Sequence, residues 1–320
     1  MTDSKKTFKD RLLDLVLSNG VLFAIIVLIV ITAILEPNFF KWSNLLNILR
    51  QVSVNGIVAC GMTVCIISSC YDLSVGSIVS MTGVFTIICI NKGMNEILCI
   101  LIGLGIGLVA GIINGTLIAM IDGKPGEAFI VTYGMQIVLA AVALFPSKGL
   151  FISGKVYDGV FKSMGRGNTP IFIFLGVALI LHFFLSKTQY GRKLCYIGNN
   201  MVAAKMSGIR VRINRISYYA ISGFLAALGG VVLCSRVTSA NPTAGLNYEM
   251  NAIAAVVVGG NSASGGSGSI IRTVIGAVVI GIMGNALNIL GFSTNYQLIV
   301  KGFLIILAVA LDIISKNARH

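Results

Sequence analysis

Long apolar runs alternate with short polar segments along most of this chain. A membrane-spanning helix needs roughly 20 mainly apolar residues, and unpaired backbone groups are not tolerated in lipid. The pattern therefore predicts an all-α membrane protein, a polytopic helical bundle of about eight to ten spans, and we expect about ten. The runs cover approximately residues 22–35, 52–70, 75–90, 97–121, 128–145, 171–185, 216–237, 270–290 and 298–314, with a shorter one at 250–260.

The composition agrees with a membrane protein. The 320 residues are 56% hydrophobic and 11% charged, with a mean hydropathy of +0.92, whereas soluble domains hold about 25% charged residues. A net charge of +13 would suggest nucleic-acid binding in a soluble protein, but in a membrane protein basic residues usually report orientation. The sequence therefore indicates the lipid bilayer as a partner and gives no reason to expect nucleic acid.

Three basic clusters predict how the chain is oriented. They are Lys5, Lys6, Lys9 and Arg11 before the first run, the basic residues of 187–215, and Lys316 with Arg319 after the last run. The tendency of basic residues to stay in the cytoplasm places all three clusters, and both termini, on that side. One loop does not fit this orientation. Because successive spans cross the membrane in alternate directions, the loop is placed outside, yet it carries Lys148, Lys155, Lys162 and Arg166.

The chain reads as one membrane domain, 1–320, with two longer polar segments at 146–169, outside, and 186–214, inside. The first apolar run lacks a small-residue cleavage site after it, so we expect a retained span. Glycines at 103, 105, 107, 111 and 115 should let helices approach closely. The seven cysteines show no CxxC spacing or Cys/His cluster, and we interpret them as small buried apolar residues.

Two Gly/Ser-rich breaks, at 70–77 and 259–269, interrupt the apolar pattern in a comparable way. Paired breaks in corresponding halves of a transporter indicate broken helices that line a translocation path, and they favour a duplicated architecture. The candidate residues for this path are Asp72, Ser74, Gly76, Ser77, Asn261, Ser264 and Gly265.

Groups able to carry catalysis are scarce. His182 and His320 are the only histidines, and neither has a partner recognisable in the sequence, so an intramembrane enzyme is disfavoured. Asp72 is the one acid embedded between apolar runs. It either caps the helix that follows it or contacts the solute, and the serines at 74 and 77 favour capping.

The sequence shows no motif that would supply the energy for transport. No GxxxxGK[ST] phosphate loop is present, so ATP cannot be bound in the P-loop manner. An ion-coupled carrier usually shows intramembrane charges, and here only Asp72 and Arg236 qualify. The other option is a partner chain that supplies the energy.

The polar segment 189–214 holds five basic residues and no acid. Asn200 suits an N-cap, Met201 to Ser207 have helix-forming character, and Gly208 suits the left-handed position that ends a helix. A helix of about seven residues is not stable alone, and Met201, Val202 and Met206 would form an apolar stripe beside Lys205. It lies either in the lipid interface or against a cytosolic partner.

Several motifs, in order and over nearly the whole chain, resemble the permease subunits of ABC importers for monosaccharides, the ribose, galactose, xylose and autoinducer class. They are residues 44–49, 72–77, 129–132, 191–192, 198–209, 241–245, 248–249 and 252–260, followed by the glycines at 265, 266 and 268.

The resemblance implies a fold similar to the cobalamin importer, with about ten helices per subunit and two permease subunits, of one chain or two, around one pore. It implies an ABC ATPase that binds ATP and Mg²⁺, so that this chain needs no cofactor, and an extracytoplasmic sugar-binding protein, for which Asn241, Tyr248 and Glu249 are candidate contacts. The loop 186–214 would hold the coupling helix. Its residues are Asn200, Met201, Val202, Ala203, Ala204, Lys205, Met206, Ser207, Gly208 and Ile209.

Two departures from the family pattern concern the coupling helix and a span. Met201 and Val202 stand where the family commonly has Glu before the Ala203-Ala204 pair, which favours apolar docking over a carboxylate contact. Ala140 stands where several relatives have Arg. The sugar is therefore left open, since selection in such importers lies largely with the binding protein.

Overall fold

The computed structural model describes residues 29–121 and 124–317, which are predominantly helical. Residues 29–35 are helical. The elements that follow are α1 (Trp42–Ile67), α2 (Val75–Asn91), α3 (Glu96–Met120), α4 (Pro125–Ser147), β1 (Ile152–Ser153), α5 (Val160–Gly165), α6 (Thr169–Lys187), α7 (Gln189–Asn199), α8 (Met201–Met206), α9 (Val211–Val237), β2 (Ser239–Ala240), α10 (Tyr248–Val258), α11 (Ile270–Ile289) and α12 (Thr294–Asn317).

Within residues 29–121 and 124–317, six helices are long and apolar enough to cross a membrane: α1, α3, α4, α6, α9 and α11. Shorter apolar helices are α2, α10 and the part of α12 over Thr294–Leu307. Each apolar run that falls in this part of the chain coincides with one of these helices. The chain is thus an all-α membrane protein. The N-terminal basic cluster, the first half of the first run, Arg319 and His320 lie outside the described residues.

The first long helix, α1, starts about ten residues before the run that predicted it, at Trp42 and not near residue 52. Its first turns contain polar side chains whose partners lie on distant elements. Asn44 exchanges hydrogen bonds with Asn285, and Arg50 donates to Asn168 Oδ1 at 3.1 Å. Hydropathy alone misses this segment because these contacts exist only after folding.

Helix α3 packs closely against α9. A Cβ added at Gly107, Gly111 or Gly115 would overlap atoms of α9, including the Tyr219 carbonyl oxygen. These glycines therefore let the two backbones approach, as predicted. The prediction is wrong for Gly105, where an added Cβ meets no atom within 4 Å.

The cysteines behave as the sequence predicts. Cys60, Cys65, Cys70, Cys99 and Cys234 are buried and Cys89 and Cys195 are half-buried, all as free thiols. Most of them pack with apolar neighbours in the hydrophobic clusters. They contribute small apolar volume to the core.

The loops at one end of the bundle contact one another. β1 pairs antiparallel with β2, with Ile152 opposite Ala240. Lys155 N donates to Asn91 Oδ1 at 2.7 Å, and Phe161 N donates to Glu96 Oε2 at 2.9 Å. These contacts place the α2–α3 loop, the 148–168 segment and the end of α9 on the same side. The segment also contains α5, which the sequence did not predict.

The basic loop that conflicted with the predicted orientation carries an acid that offsets part of its charge. Asp158 forms ion pairs with Lys162, at 3.0 Å, and with Arg166, at 3.8 Å. The hydrogen bond from Lys162, with the charges of both partners, lowers the pKa of the exposed Asp158 carboxyl. These pairs reduce the positive charge that the loop presents to solvent.

Candidate functional site

The polar segment between α6 and α9 folds as two helices, α7 and α8, and not as one. The termini of α8 match the sequence signals. Asn200 Oδ1 accepts from Ala203 N at 3.0 Å, so Asn200 is the N-cap. Gly208 follows the helix with φ +79°, a left-handed conformation that suits glycine. The predicted short helix is confirmed, over Met201–Met206.

One small side chain attaches α8 to the rest of the subunit. Ala204 is 4% exposed and lies in a hydrophobic cluster with Leu194, Ile197, Val211 and Tyr218. The other apolar side chains of α8 are distributed differently from the predicted stripe: Met201 is partly buried against this cluster. Val202 and Met206 remain 67% and 85% exposed. The helix is thus supported within its own chain and still presents two large apolar side chains outward.

Helix α7 supplies the support for α8, and the sequence interpretation missed it. Leu194 and Ile197 are buried while Arg192 and Lys193 are exposed, an amphipathic arrangement. The spacing of Leu194 and Ile197 is the sequence signal that could have revealed it. Burial raises the pKa of the Tyr190 phenol, whose oxygen lies 2.7 Å from Ser217 Oγ. Tyr190 thereby joins the start of α7 to α9.

A cleft of about 540 Å³ lies between α7 and α8. Basic side chains from α7, Arg192 and Lys193, line one part of it, and Ala203 and Ser207 of α8 line another. The cleft therefore combines small side chains with exposed positive charge.

The two Gly/Ser-rich breaks meet each other beside the end of α7. Gly266 N donates to Ile67 O at 2.8 Å, and Tyr71 Oη donates to Ala263 O at 2.7 Å. Ser69 Oγ lies 2.7 Å from the carbonyl oxygens of both Gly198 and Ser264 and can donate to one at a time. The end of α1, the end of α7 and the 259–269 loop therefore form one junction.

Glycine is needed at several points of this junction. Gly265 and Gly266 have φ values of +85° and +78°. A Cβ added at Gly198 would overlap the Ile67 carbonyl oxygen. Asn261 holds the base of the loop, since its Oδ1 accepts from Ser269 N at 2.6 Å and its Nδ2 donates to Thr273 Oγ1 at 3.0 Å. The loop has a defined shape that depends on α1 and α7.

Asp72 is fully buried and lies at the start of α2. Its Oδ1 accepts from Ser74 N at 3.1 Å and from Ser74 Oγ at 2.6 Å, and its Oδ2 accepts from Ser222 Oγ at 2.9 Å. Asn114 Nδ2 donates to Ser74 Oγ at 2.7 Å. The carboxylate thus organises the beginning of α2 and connects it to α3 and α9. This geometry favours the capping interpretation over solute contact.

We expect Asp72→Ala to lower stability by roughly 2–3 kcal/mol, because buried donors on residues 74 and 222 lose their acceptor. Asp72→Asn keeps an oxygen acceptor and the side-chain shape, so it should retain assembly and transport. Thermal unfolding of the purified subunit and uptake in vesicles check both variants. An Asp72→Asn protein that is stable yet inactive in uptake would indicate solute contact instead.

The remaining predicted residues lie in different environments. Ser77 Oγ donates to Gln136 O at 2.7 Å, and a Cβ at Gly76 would overlap the Glu249 carboxylate. Glu249 is 4% exposed and accepts from Gln136 Nε2 at 3.2 Å, which places it inside the subunit, away from a surface that a partner could contact. Asn241 is exposed and accepts from Thr243.

These features together define a multi-pass α-helical membrane protein with a supported, outward-facing helix in one loop. The chain belongs to the family of permease components of the branched-chain amino acid transport system, whose model matches residues 44–309. It is a membrane transport subunit and not an enzyme.

Curated relatives cover almost the same length as this chain. The ribose import permease protein of Escherichia coli strain K12 is 40% identical over 298 residues, 91% of this chain and 92% of that protein. The D-allose transport system permease protein of the same strain is 37% identical over 303 residues, which are 93% of this chain and 92% of that protein. The L-arabinose transport system permease protein of this strain is 33% identical over 306 residues, which are 94% of this chain and 92% of that protein. No solved structure matches the chain significantly.

Proposed function

We propose that this chain is the membrane-spanning subunit of an ATP-driven ABC importer that moves a monosaccharide across a bacterial cytoplasmic membrane. The identity of 40% over 91% of the chain to a ribose import permease carries this proposal. The allose and arabinose permeases at 37% and 33% support the wider sugar class. Because three different sugars appear among these relatives, the proposal is for the class and not for one sugar.

The proposed assembly contains two permease subunits around one pore, as one chain twice or two related chains. Each would have about ten spans in a fold similar to the cobalamin importer, with the shorter helices α2, α10 and α12 adding to the six long ones. Both termini and the 186–214 loop lie in the cytoplasm in this arrangement. The contact of Ile67, Gly198 and Gly266 supports a common side for these loops.

The partners each have a candidate surface. An ABC ATPase, which binds ATP and Mg²⁺, docks on residues 200–209, and the exposed Val202 and Met206 supply apolar contacts. A sugar-binding protein docks at the opposite end, where Asn241 is exposed. Movement of the ATPase passes from α8 to the junction of the two breaks, whose residues Asn261, Ser264 and Gly265 lie beside the end of α7.

The test is reconstitution of the chain with its ATPase and binding protein in vesicles. We expect ATP-dependent accumulation of ribose, allose or arabinose, and little accumulation of leucine. Uptake by this chain alone, driven by an ion gradient, would contradict the proposal and indicate a secondary transporter. Accumulation of leucine and of none of the sugars would contradict the substrate class.

A further inference from the structure

A polar cavity of about 410 Å³ lies among α1, α9, α10, α11 and α12, in helices that are otherwise apolar. Its size falls within the range of about 300–1,000 Å³ that is typical of small-molecule sites. Its lining contains six amide side chains: Gln51, Asn55, Asn251, Asn285, Asn288 and Gln297. None of the residues singled out for the translocation path lines it.

One amide of this cavity has an unsatisfied polar atom. Asn55 Oδ1 is buried and accepts no hydrogen bond within the part of the chain that the structure describes. An unsatisfied buried acceptor is destabilising, and an apolar residue would fill a merely structural position without that cost. The cavity therefore holds hydrogen-bonding capacity that the subunit itself does not use.

Asn285 of this cavity forms a reciprocal amide pair with Asn44. Asn44 Nδ2 donates to Asn285 Oδ1 at 3.0 Å, and Asn285 Nδ2 donates to Asn44 Oδ1 at 3.1 Å. Asn44 lines a second cavity, with Lys41 and Asn47, at the start of α1. The start of α1 is the end opposite to the Ile67 junction, so the two cavities follow one another along α1 away from the coupling loop.

We infer that the amide-lined cavity is a passage site for a neutral, polyhydroxylated solute of monosaccharide size. The inference rests on the proposed function and assigns to it the residues that would contact the solute. A sugar hydroxyl both donates and accepts a hydrogen bond, and each amide supplies one acceptor and two donors. In the cavity the amides can take the place of water around such a solute, and the solute needs no oppositely charged side chain.

The charges and the unsatisfied acceptor of the cavity together distinguish this solute class from others. Arg236 and Lys301 line it, and its described lining contains no Asp or Glu. The ammonium group of an amino acid would have no carboxylate partner there. An anion only accepts hydrogen bonds, so it would supply no donor to the unsatisfied Asn55 Oδ1. A neutral polyol uses both the donors and the acceptors.

Gly284 allows the cavity to be filled without disturbing the helix packing. It lines the cavity, and an added Cβ meets no atom within 4 Å. In the complete complex with the ATPase and binding protein, Gly284→Phe should reduce ribose uptake at least about tenfold because it narrows the passage. The subunit should still assemble. Gly105→Phe is the matched control, since Gly105 is also half-buried in a helix with open space around it and does not line the cavity.

A labelling experiment examines contact with the solute directly. In a cysteine-free background, Gly284→Cys should react with a hydrophilic thiol reagent, and ribose with ATP and binding protein should slow that reaction. Ribose 5-phosphate and leucine should not slow it. Ile275→Cys is the control on the same helix, because Ile275 is 52% exposed on an apolar surface and should remain unreactive.

The outcomes separate the cavity from the proposed function. Wild-type complex that accumulates no neutral monosaccharide contradicts the proposed function. Wild-type complex that accumulates ribose while Gly284→Phe transports equally well overturns the cavity assignment alone. Protection of Gly284→Cys by leucine or by ribose 5-phosphate, and not by ribose, overturns the solute class.

Discussion

Ala203→Trp is expected to abolish ATP-coupled uptake while the subunit still folds and inserts. Ala203 is exposed and lines the cleft between α7 and α8, whereas the neighbouring Ala204 packs inward. The indole should therefore occupy the cleft, where we propose that the ATPase docks, and not the interior of the subunit. Overpacking costs about 1–3 kcal/mol, which would weaken docking by about 5- to 150-fold. Co-purification of the ATPase and sugar uptake in vesicles measure the effect.

Two further variants define the meaning of this result. Gly208→Val should act in the same direction, because a side chain at φ +79° is strained and displaces the end of α8. Gly126→Trp is the bulky control, since Gly126 is exposed with no atom within 4 Å of an added Cβ and does not line the cleft. Normal coupled uptake in both Ala203→Trp and Gly208→Val would rule out docking at α8. The double variant Arg210→Glu, Arg212→Glu would then test whether α8 lies in the lipid interface.

Gly111→Leu is expected to prevent formation of the folded subunit, whereas Gly105→Leu, on the same helix, should be tolerated. A Cβ at Gly111 would overlap the backbone of Tyr219, which cannot move without displacing α9. Overpacking against backbone should reach or exceed the upper part of the range of about 1–3 kcal/mol. At Gly105 an added Cβ meets no atom within 4 Å.

Thermal unfolding and size-exclusion profiles of the detergent-purified proteins would measure this difference. The two variants carry the same change in composition and hydropathy, so membrane insertion should be similar for both. Equal stability of the two variants would show that the close approach of α3 and α9 does not support the fold.

Short sequence signals predicted local structure well where they describe local chemistry. Asn200 and Gly208 marked the ends of α8 because an N-cap hydrogen bond and a left-handed residue involve only near neighbours. Helix α7 was missed because its two large buried apolar residues, Leu194 and Ile197, form a signal only about one turn long. The short range of such signals also explains why the prediction of close helix approach was correct at Gly111 and wrong at Gly105. Only the position of α9 in the folded protein distinguishes the two glycines.

The sequence by itself determined the all-α membrane class, the approximate positions of the apolar helices and the family resemblance, because length and hydropathy limit what can cross a bilayer. Only the tertiary structure decided which polar groups meet. Asp72 received partners from residues 74 and 222, and Asn44 paired with Asn285 across more than two hundred residues of chain. Tertiary packing also brought the amides of four helices around one cavity. Such contacts depend on how helices cross, and no local pattern encodes that crossing.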